Sequence, residues 1–282
     1  MPETVTAPRT VLLSAYTTLK VGGPAELWEV EGPEDLVEAT KEPYRVLGGG
    51  SNLLVADGGV PERVIRLGRS YNDVRAFGEG QLDVWLGAAT PLPGLVRRAQ
   101  RAGMSGLEGL LGVPAVLGGA VAMNAGTRFG EMSDTLREVE VFVDGGLERL
   151  PAADLGLGYR HAQLPAGAIV TRARLSLTPS TPEAVQRYMD QVDAARHGQP
   201  KIKSAGCAFK NPPGESAGRL IDLAGLKGTR VGDAMVAHEH GNFVLNLGAA
   251  SSADVVALLD EVRAKLEARG TSLQLEWRLW GF

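Results

Sequence analysis

Glycine is concentrated in a few short segments of this chain, and these segments divide it into elements and loops. The sequence contains 37 glycines. One segment, Gly48-Gly49-Gly50-Ser51-Asn52, separates strand-like runs at 44–47 and 53–56. A second glycine-rich region covers 103–130 and includes Gly118-Gly119 and Asn124-Ala125-Gly126. Because glycine adopts positive φ at no steric cost, both regions are predicted to be loops.

The loop at 48–52 has two interpretations. It is not a dinucleotide-binding fingerprint, because the third glycine is missing and the next residues resemble a strand. Consecutive glycines between strands can nevertheless turn several N–H groups toward one anion such as a pyrophosphate. The alternative is a plain turn that joins two strands. The region at 118–126 favours the anion interpretation, since two such loops can hold a long diphosphate cofactor from both sides.

Apolar periodicity and capping residues predict the surrounding elements. A helix is predicted at 92–101, with an apolar face opposite three arginines. Residues 178–182 are typical of a linker, and Thr181 is predicted to cap a helix that runs to about 196. The other predictions are a strand at 64–67, a hairpin strand at 139–143 with its turn at 144–146, a helix at 216–224, a strand at 243–247, a helix capped by Ser252 and ended by Gly270, and a strand at 273–279.

The composition is that of a soluble globular protein with two or three domains. The 282 residues are 44% hydrophobic and 22% charged, with a formal net charge of −4. No basic block is present, so nucleic acid is not an expected partner. No apolar run reaches the length of a membrane span, and the N-terminus lacks a secretory pattern. A single cysteine fits a reducing compartment, and we expect a cytoplasmic protein.

That cysteine, Cys207, lies in the segment Ser204-Ala205-Gly206-Cys207-Ala208-Phe209-Lys210-Asn211-Pro212. It has no intramolecular disulfide partner, so its thiol serves either packing or chemistry. Buried packing is the common situation of such a residue. The preceding glycine and the following Asn-Pro predict a tight bend instead of an apolar strand interior, which favours chemistry.

Two charged residues are further candidates. Arg160 follows a glycine-containing segment, and its planar fork suits carboxylates or phosphates, although a surface arginine in a loop is the simpler interpretation. Glu276 lies on the polar face of the strand predicted at 273–279, and a solvated residue paired with Arg278 is the alternative. His238-Glu239-His240 has the wrong spacing for two helical metal ligands, so no metal site is predicted.

Taken together, these segments resemble the UDP-N-acetylenolpyruvoylglucosamine reductases of bacterial cell-wall synthesis, over nearly the whole chain and in the family's order. The matching segments are 16–25, 47–54, 106–108, 118–120, 124–126, 158–160, 205–212, 217–222, 226–228 and 276–281. The short region after Arg160 resembles the compact second type of the family.

The resemblance implies an α+β fold. It implies a two-part FAD-binding region of the vanillyl-alcohol-oxidase/PCMH type, with subdomains at 1–66 and 67–178, and a C-terminal α+β substrate-binding domain at 179–282. The implied enzyme binds FAD and uses NADPH as co-substrate. It reduces the enolpyruvyl ether of UDP-N-acetylglucosamine to UDP-N-acetylmuramate for peptidoglycan synthesis, and thus acts in cell wall biogenesis, cell shape and cell division. A membrane partner is not expected.

The resemblance also implies functions for individual residues. Cys207 matches the proton donor, and Arg160 and Glu276 match positions that stabilise an enolate-like charge, for which Glu276 must be protonated or act through a water. The residues matched to FAD binding are Gly48, Gly49, Gly50, Ser51, Asn52, Leu53, Gly118, Gly119, Asn124 and Gly126. The residues matched to the sugar-nucleotide are Tyr159, Lys210, Asn211, Arg219 and His240.

The chain departs from the commoner family pattern at Cys207, where serine is usual, and at His161-Ala162, where a small polar pair is frequent. A thiol has a reference pKa of about 8.5 and is mostly protonated at neutral pH, so it can still deliver a proton. Two other functions remain open. One is an FAD-dependent oxidase or dehydrogenase of the same superfamily acting on an alcohol or hydroxy acid, and the other is a flavin subunit that relays electrons to a partner protein.

Overall fold

The computed structural model describes residues 7–75, 82–200 and 203–282. Residues 1–6, on which the prediction about a secretory signal rests, lie outside the described residues. The described chain contains both helices and strands, and most of its paired strands are antiparallel, which confirms the α+β class. The helices are α1 Pro33–Ala39, α2 Leu92–Arg101, α3 Leu117–Ala122, α4 Pro182–Arg196, α5 Ala217–Leu223 and α6 Ser252–Glu267.

The strands are short, and several contain only two residues. Those in the first half of the chain are β1 Arg9–Leu12, β2 Pro24–Val30, β3 Tyr44–Val46, β4 Leu53–Val55, β5 Arg63–Leu67, β6 Asp83–Gly87, β7 Met104–Ser105, β8 Gly126–Thr127, β9 Gly130–Glu131 and β10 Leu136–Val143. Those that follow are β11 Gly146–Pro151, β12 Ile169–Ser176, β13 Thr178–Pro179, β14 Ser204–Cys207, β15 Arg230–Val231, β16 Ala234–Val236, β17 Phe243–Asn246 and β18 Arg278–Trp280.

The described chain forms two compact units, each assembled from separate segments. The first unit contains Leu27–Gly49 and Arg63–His197, and the second contains Arg9–Glu26, Gly50–Glu62 and Gly198–Phe282. The division into domains at 1–66, 67–178 and 179–282 stays a prediction.

Two sheets organise the first unit. In one, β5 lies between β2 and β3, and both pairs are parallel. The other has the strand order β11-β10-β12-β6, with antiparallel neighbours. Leu86, Val141 and Ala173 of this sheet are buried in one core with Leu95 and Val96 of α2. The apolar face predicted for 92–101 is therefore the face that packs.

The second unit is built around α6 and the sheet β14-β17-β16-β15. Val255, Leu258 and Val262 of α6 are buried in one core with Phe209 and Trp277. In the same unit β18 pairs in parallel with β4, so that Arg278 lies opposite Leu53 and Trp280 opposite Val55. The segment that precedes β18 carries Glu276, which places this candidate residue beside the core.

Several predicted elements are confirmed. Helix α2 has the predicted bounds, and α4 begins at Pro182 with the Thr181 hydroxyl accepting a hydrogen bond from the Ala184 N–H at 3.2 Å. The hairpin turn at 144–146 is present, with Asp144 at φ +49° and Gly145 at φ +80°. In these cases the signal is local, because a cap or turn residue acts on its immediate neighbours.

Three predictions are wrong. The glycine-rich region at 103–130 is not a continuous loop, because Gly118 and Gly119 lie within α3. Ser251, and not Ser252, caps α6, because the Ser251 hydroxyl accepts from the Asp254 N–H at 3.0 Å while the Asp254 carboxylate accepts from the Ser251 N–H at 2.9 Å. Ser252 instead donates its N–H to the Asp57 carboxylate. The strand predicted at 273–279 is reduced to β18 at its end, because residues 274–276 bond to 208–210 instead.

Replacing Ser251 by alanine is expected to lower the free energy of unfolding by about 1 kcal/mol. The change removes the acceptor of the Asp254 N–H at the start of a 16-residue helix. The loss is measurable by urea-induced unfolding at pH 7. Ser272→Ala, at an exposed position, is the control and should stay within about 0.5 kcal/mol of the wild type. Equal losses in both variants would contradict the assignment of the cap.

Candidate active site

The two glycine-rich regions lie close together in the first unit. A Cβ built on Gly48 would lie 3.3 Å from Val116 Cγ2 and 3.7 Å from Gly119 Cα. A Cβ built on Gly49 would lie 3.3 Å from the Pro114 carbonyl oxygen. A side chain at either position would therefore crowd 114–119, and glycine allows the two segments to approach.

The backbone around these glycines fits a diphosphate-bearing group such as FAD. Gly49 is exposed, and Gly118 and Gly119 are partly exposed. Consecutive glycines present peptide groups with no side chain in front of them, which suits the oxygens of a phosphate, although the Gly118 N–H itself donates to the Ala88 carbonyl. The first unit thus brings together four of the residues predicted to hold FAD.

The remainder of the first glycine loop belongs to the second unit. Gly50 has φ +61°, and a Cβ there would lie 2.1 Å from the Tyr16 carbonyl oxygen. The Asn52 side-chain amide donates to the Glu276 carbonyl oxygen at 3.1 Å, and the Asn52 carbonyl accepts from the Arg278 N–H at 3.0 Å. Ser51 is half-buried, and Leu53 is buried at the start of β4. Gly50 and Asn52 therefore hold this unit together, and contacts of these residues with FAD stay a prediction.

Arg160 lies in a tight turn of the first unit. Gly158 and His161 exchange both backbone hydrogen bonds at 3.0 Å, which leaves Tyr159 and Arg160 as the two turn residues. Arg160 has φ +54°, a conformation that costs a residue with a side chain roughly 1–3 kcal/mol. Its guanidinium donates to the Gly126 carbonyl oxygen at 2.6 Å and lies 5.1 Å from the centre of the Tyr159 ring. These contacts fix where the positive charge sits.

Asn124 supports the same turn. Its side chain is fully buried, with Nδ2 donating to the Gly158 carbonyl at 3.0 Å and Oδ1 accepting from the Ser133 N–H at 2.9 Å. The structure thus brings Asn124 and Gly126, predicted for FAD, together with Tyr159 and Arg160, predicted for the sugar-nucleotide and for catalysis. The Asn124 amide contributes to this cluster by holding the Arg160 turn.

Cys207 is the last residue of β14 and lies opposite Phe243 of β17. The pairing shifts register between Ser204 and Cys207, and Gly206 within the shift has φ +74°. Such a bulge reorients the residue that follows it. The predicted bend is therefore present, but it interrupts a strand, because β17 supplies backbone partners that the local sequence does not reveal. The thiol is half-buried.

Glu276 lies on the segment that bonds to the residues after Cys207. The Glu276 N–H donates to the Ala208 carbonyl at 2.8 Å, and the Lys210 N–H donates to the Gln274 carbonyl at 2.8 Å. Phe209 and Leu275 form the bridge between the two segments. The second unit therefore brings the backbones that carry Cys207 and Glu276 side by side.

One residue of this region was not identified by sequence reasoning. Asn242 is 2% exposed, and its side-chain amide bonds to both the N–H and the carbonyl of Phe209, at 2.9 and 2.7 Å. The sequence shows only an asparagine directly before the apolar strand predicted at 243–247. It does not identify the hydrogen-bond partner of this asparagine, because Phe209 is 33 positions away in the sequence.

The remaining predicted sugar-nucleotide residues surround α5. The Asn211 Oδ1 accepts from the Ala217 N–H at 3.0 Å, at the start of this helix. Arg219 forms an exposed ion pair with Glu215, at 3.0 Å between Nη1 and Oε2. Lys210 is half-buried next to Asn211. The cationic groups of this set are thus carried by the start of α5 and the segment before it.

His240 lies against the start of α5 as well. A Cβ on Gly218 would lie 2.9 Å from His240 Cε1, and the His240 ring packs edge-on against Phe243 with the centroids 4.9 Å apart. Its Nδ1 accepts from the Asn242 N–H at 3.2 Å. Burial lowers the pKa of His240, and nearby Lys227 lowers it further. The imidazole is therefore neutral at pH 7.

The lowered pKa of His240 predicts a loss of stability in mild acid. Below about pH 6.5 the imidazole of the unfolded chain takes up a proton that the folded protein resists, so the free energy of unfolding falls as the pH drops. His240→Gln should lose this part of the pH dependence. Urea midpoints at pH 7.5 and 5.5 measure it, and an equal difference between the two pH values in both proteins would contradict the assignment.

Two negative findings apply to the described part of the chain. Within 7–75, 82–200 and 203–282 no three His, Cys, Asp or Glu side chains are grouped so as to hold a metal ion. Over the same ranges each helix is too short or too polar to span a membrane.

Comparison with known proteins agrees with this arrangement. A family model described as an FAD binding domain matches residues 34–149, and one described as the UDP-N-acetylenolpyruvoylglucosamine reductase C-terminal domain matches residues 199–280. These ranges contain both glycine regions and the segment around Cys207.

Similar proteins extend the match to nearly the whole chain. The UDP-N-acetylenolpyruvoylglucosamine reductase of Thermus thermophilus is 60% identical over 270 residues, which cover 96% of this chain and 98% of that protein. The reductase of Deinococcus radiodurans is 53% identical over 277 residues, covering 96% and 94%. The crystal structure of the Thermus caldophilus reductase superposes with a TM-score of 0.92 at 59% identity, covering 97% of this chain and 99% of that one.

Proposed function

This chain belongs to the UDP-N-acetylenolpyruvoylglucosamine reductase family, and from that premise we propose how its residues carry out the family's reaction. It is an FAD-dependent oxidoreductase that uses NADPH to reduce UDP-N-acetylglucosamine enolpyruvate to UDP-N-acetylmuramate in peptidoglycan precursor synthesis. The observation that carries this conclusion is 60% identity to a reductase over almost the full length of both chains.

The glycine segments of the first unit are proposed to hold the diphosphate of FAD. Gly48 and Gly49 approach 114–119 closely, and Gly119 is partly exposed beside Gly118, whose own N–H donates to the Ala88 carbonyl at 2.8 Å. Held by these residues, FAD would supply the hydride chemistry between NADPH and the methylene carbon of the substrate. Gly50, Ser51, Asn52, Leu53, Asn124 and Gly126 complete the proposed FAD-binding set.

Arg160 and Glu276 are proposed to stabilise charge. Hydride addition at the methylene carbon leaves negative charge on the adjacent carbon and its carboxylate. The Arg160 guanidinium donates to the Gly126 carbonyl, and this bond preorganises a positive charge that can stabilise the developing anion. Glu276 contributes only when protonated or through a water, since a bare carboxylate would repel the same charge.

Cys207 is proposed to deliver the proton that completes the reaction. Its S–H bond breaks as a C–H bond forms at the carbon that carries the charge, and the resulting thiolate takes a proton from solvent. The thiol is only half-buried, so exchange with water is possible. The bulge at Gly206 orients the residue at the end of β14.

The sugar-nucleotide is proposed to be held by Tyr159, Lys210, Asn211, Arg219 and His240. Arg219 and Lys210 supply positive charge for the diphosphate. To contact the diphosphate, the Arg219 guanidinium must leave its exposed ion pair with Glu215. The neutral His240 offers hydrogen bonds without charge. We also propose the cytoplasm as the location, since the chain has one cysteine and proteins of oxidising compartments usually pair theirs. Contributions to cell shape and cell division would follow from the product.

The proposed function is tested by anaerobic absorbance of the purified protein. One equivalent of NADPH should bleach the flavin, and the enolpyruvyl sugar-nucleotide should then restore its colour. Bleaching without recovery would overturn the proposal. In that case, flavin that is reduced by an alcohol or hydroxy acid and rapidly reoxidised by oxygen would identify the oxidase alternative. Reduced flavin that is reoxidised only by a partner protein would identify the electron-relay alternative.

A further inference from the structure

We propose that Asn242 is a positioning residue for the reduction of the sugar-nucleotide. Its side-chain amide sets the backbone at 208–209 and thereby the positions of Cys207 and Glu276. This inference rests on the function proposed above for those two residues. Its test is chosen so that the two proposals can fail separately.

The contacts of Asn242 are directed at a single residue. Nδ2 donates to the Phe209 carbonyl at 2.7 Å, and Oδ1 accepts from the Phe209 N–H at 2.9 Å. The Asn242 backbone carbonyl also accepts from the Ala208 N–H at 2.8 Å. A rotation of this buried amide would break both side-chain bonds and leave buried polar groups without partners, which is strongly unfavourable. The backbone at 208–209 is therefore held in one position.

The two side-chain bonds from Asn242 to Phe209, here called the Asn242 clamp, fix the chain on the C-terminal side of Cys207. On the other side, the Gly206 N–H donates to the Ser204 hydroxyl at 3.2 Å, and Cys207 pairs with Phe243 of β17. Asn242 holds the segment that follows Cys207. The thiol therefore lies between two held segments, and the Asn242 bonds fix the one on its C-terminal side.

The same clamp extends to the other candidate residues of the second unit. The Ala208 carbonyl accepts from the Glu276 N–H at 2.8 Å, so a shift at 208 displaces the segment that carries Glu276. The Asn242 N–H donates to His240 Nδ1 at 3.2 Å. Through its side chain and its backbone, Asn242 therefore connects the segments that carry the proposed proton donor, the proposed charge-stabilising acid and a proposed substrate ligand.

Asn242→Asp is the informative substitution, because it keeps an acceptor for the Phe209 N–H and loses the donor to the Phe209 carbonyl. The matched control is Asn246→Asp in the same strand region. Asn246 is 3% exposed and bonds through its amide to the Leu19 carbonyl and the Gly248 and Ala250 N–H groups, away from 207–209. Both variants bury a carboxylate next to a carbonyl and should lose stability to a similar extent.

We expect NADPH to reduce the flavin of both variants at the wild-type rate. Reoxidation by the enolpyruvyl sugar-nucleotide should be slower by about 10–100-fold in Asn242→Asp, with kcat more affected than KM, because a 1 Å misplacement costs about that much. In a double-mutant cycle, Asn242→Asp should cost much less in a Cys207→Ala background than in the wild type. Asn246→Asp should slow reoxidation little in either background.

Alkylation provides a readout that does not depend on turnover. The chain contains one cysteine, so the rate of modification by iodoacetamide reports Cys207 alone. We expect at least a threefold faster rate in Asn242→Asp and the wild-type rate in Asn246→Asp. If Asn242→Asp does not fold, Asn242→Ser, which keeps a short hydroxyl at the same position, is measured in its place.

Equal alkylation rates in the two variants, or equal losses of substrate reduction, would overturn the proposal and leave Asn242 with a purely structural function. Failure of the wild-type protein to reoxidise with the sugar-nucleotide would instead overturn the proposed function. The alkylation contrast would still decide whether Asn242 sets the position of Cys207.

Discussion

Cys207→Ala should retain reduction of bound FAD by NADPH and slow reduction of the enolpyruvyl sugar-nucleotide by about 10²–10⁴-fold. That range is the usual contribution of a positioned general acid. The alanine variant has no S–H group at the end of β14, so the carbanionic carbon must take its proton from water. NADPH oxidation needs no proton from this residue. Anaerobic stopped-flow absorbance at the flavin band measures the two half-reactions separately.

Cys207→Ser is the matched variant, because it keeps an O–H group of similar size in the same half-buried position. An alcohol is a weaker acid than a thiol but can donate a proton that is replaced from solvent. We therefore expect reduction of the sugar-nucleotide to be much faster in Cys207→Ser than in Cys207→Ala. Wild-type rates in both half-reactions of Cys207→Ala would refute the proton-donor role.

Arg160→Ala is expected to slow reduction of the sugar-nucleotide by about 10²–10³-fold, the usual effect of removing one donor to a developing anion. The variant loses the positive charge and the bond from the guanidinium to the Gly126 carbonyl. The loss should be larger in kcat than in the KM for the sugar-nucleotide, because the charge forms during the reaction. Steady-state kinetics with both substrates varied provides this comparison.

Two further variants identify the cause of the Arg160 effect. Arg160→Lys keeps the charge without the planar fork and should recover only part of the rate. Arg149→Ala removes an exposed arginine of the same unit that lies 4.8 Å from the Trp85 ring, and it should leave both half-reactions unchanged. A similar loss in Arg149→Ala and Arg160→Ala would show that overall charge, and not the Arg160 turn, governs the rate.

Much of the fold was predictable because the relevant signals are local. Helix α2 has an apolar face that matches its buried face, and Thr181-Pro182 specifies the first turn of α4 through its own hydroxyl and ring. The glycine loop at 48–52 was predictable for the same reason, whereas Gly118 and Gly119 were predicted as a loop and lie within α3. Their mutual proximity follows from the packing at 48–49 and 114–119, which no single segment encodes.

The errors arise where a distant partner decides the structure. Ser251 and Ser252 are both suitable caps, but the Ser252 hydroxyl accepts a hydrogen bond from the Asp57 N–H at 2.9 Å. The alternating pattern at 273–279 suggested one strand, but its middle bonds to 208–210 and its end to β4. Asn242 was overlooked because its function depends on Phe209. The chemistry of a residue is readable from the sequence, whereas its partner is not.

The parallel pair of β4 and β18 determines when the second unit can be completed during synthesis. The bond between Asn52 and the Glu276 carbonyl joins positions 224 residues apart. Closing so long a loop costs conformational entropy before the contact can stabilise the fold. Strand β4 therefore leaves the ribosome long before its partner. A fragment limited to 199–280, the range of the C-terminal family domain, would lack β4 and the segment Arg9–Glu26 of the same unit. We expect such a fragment to remain unfolded when it is expressed alone.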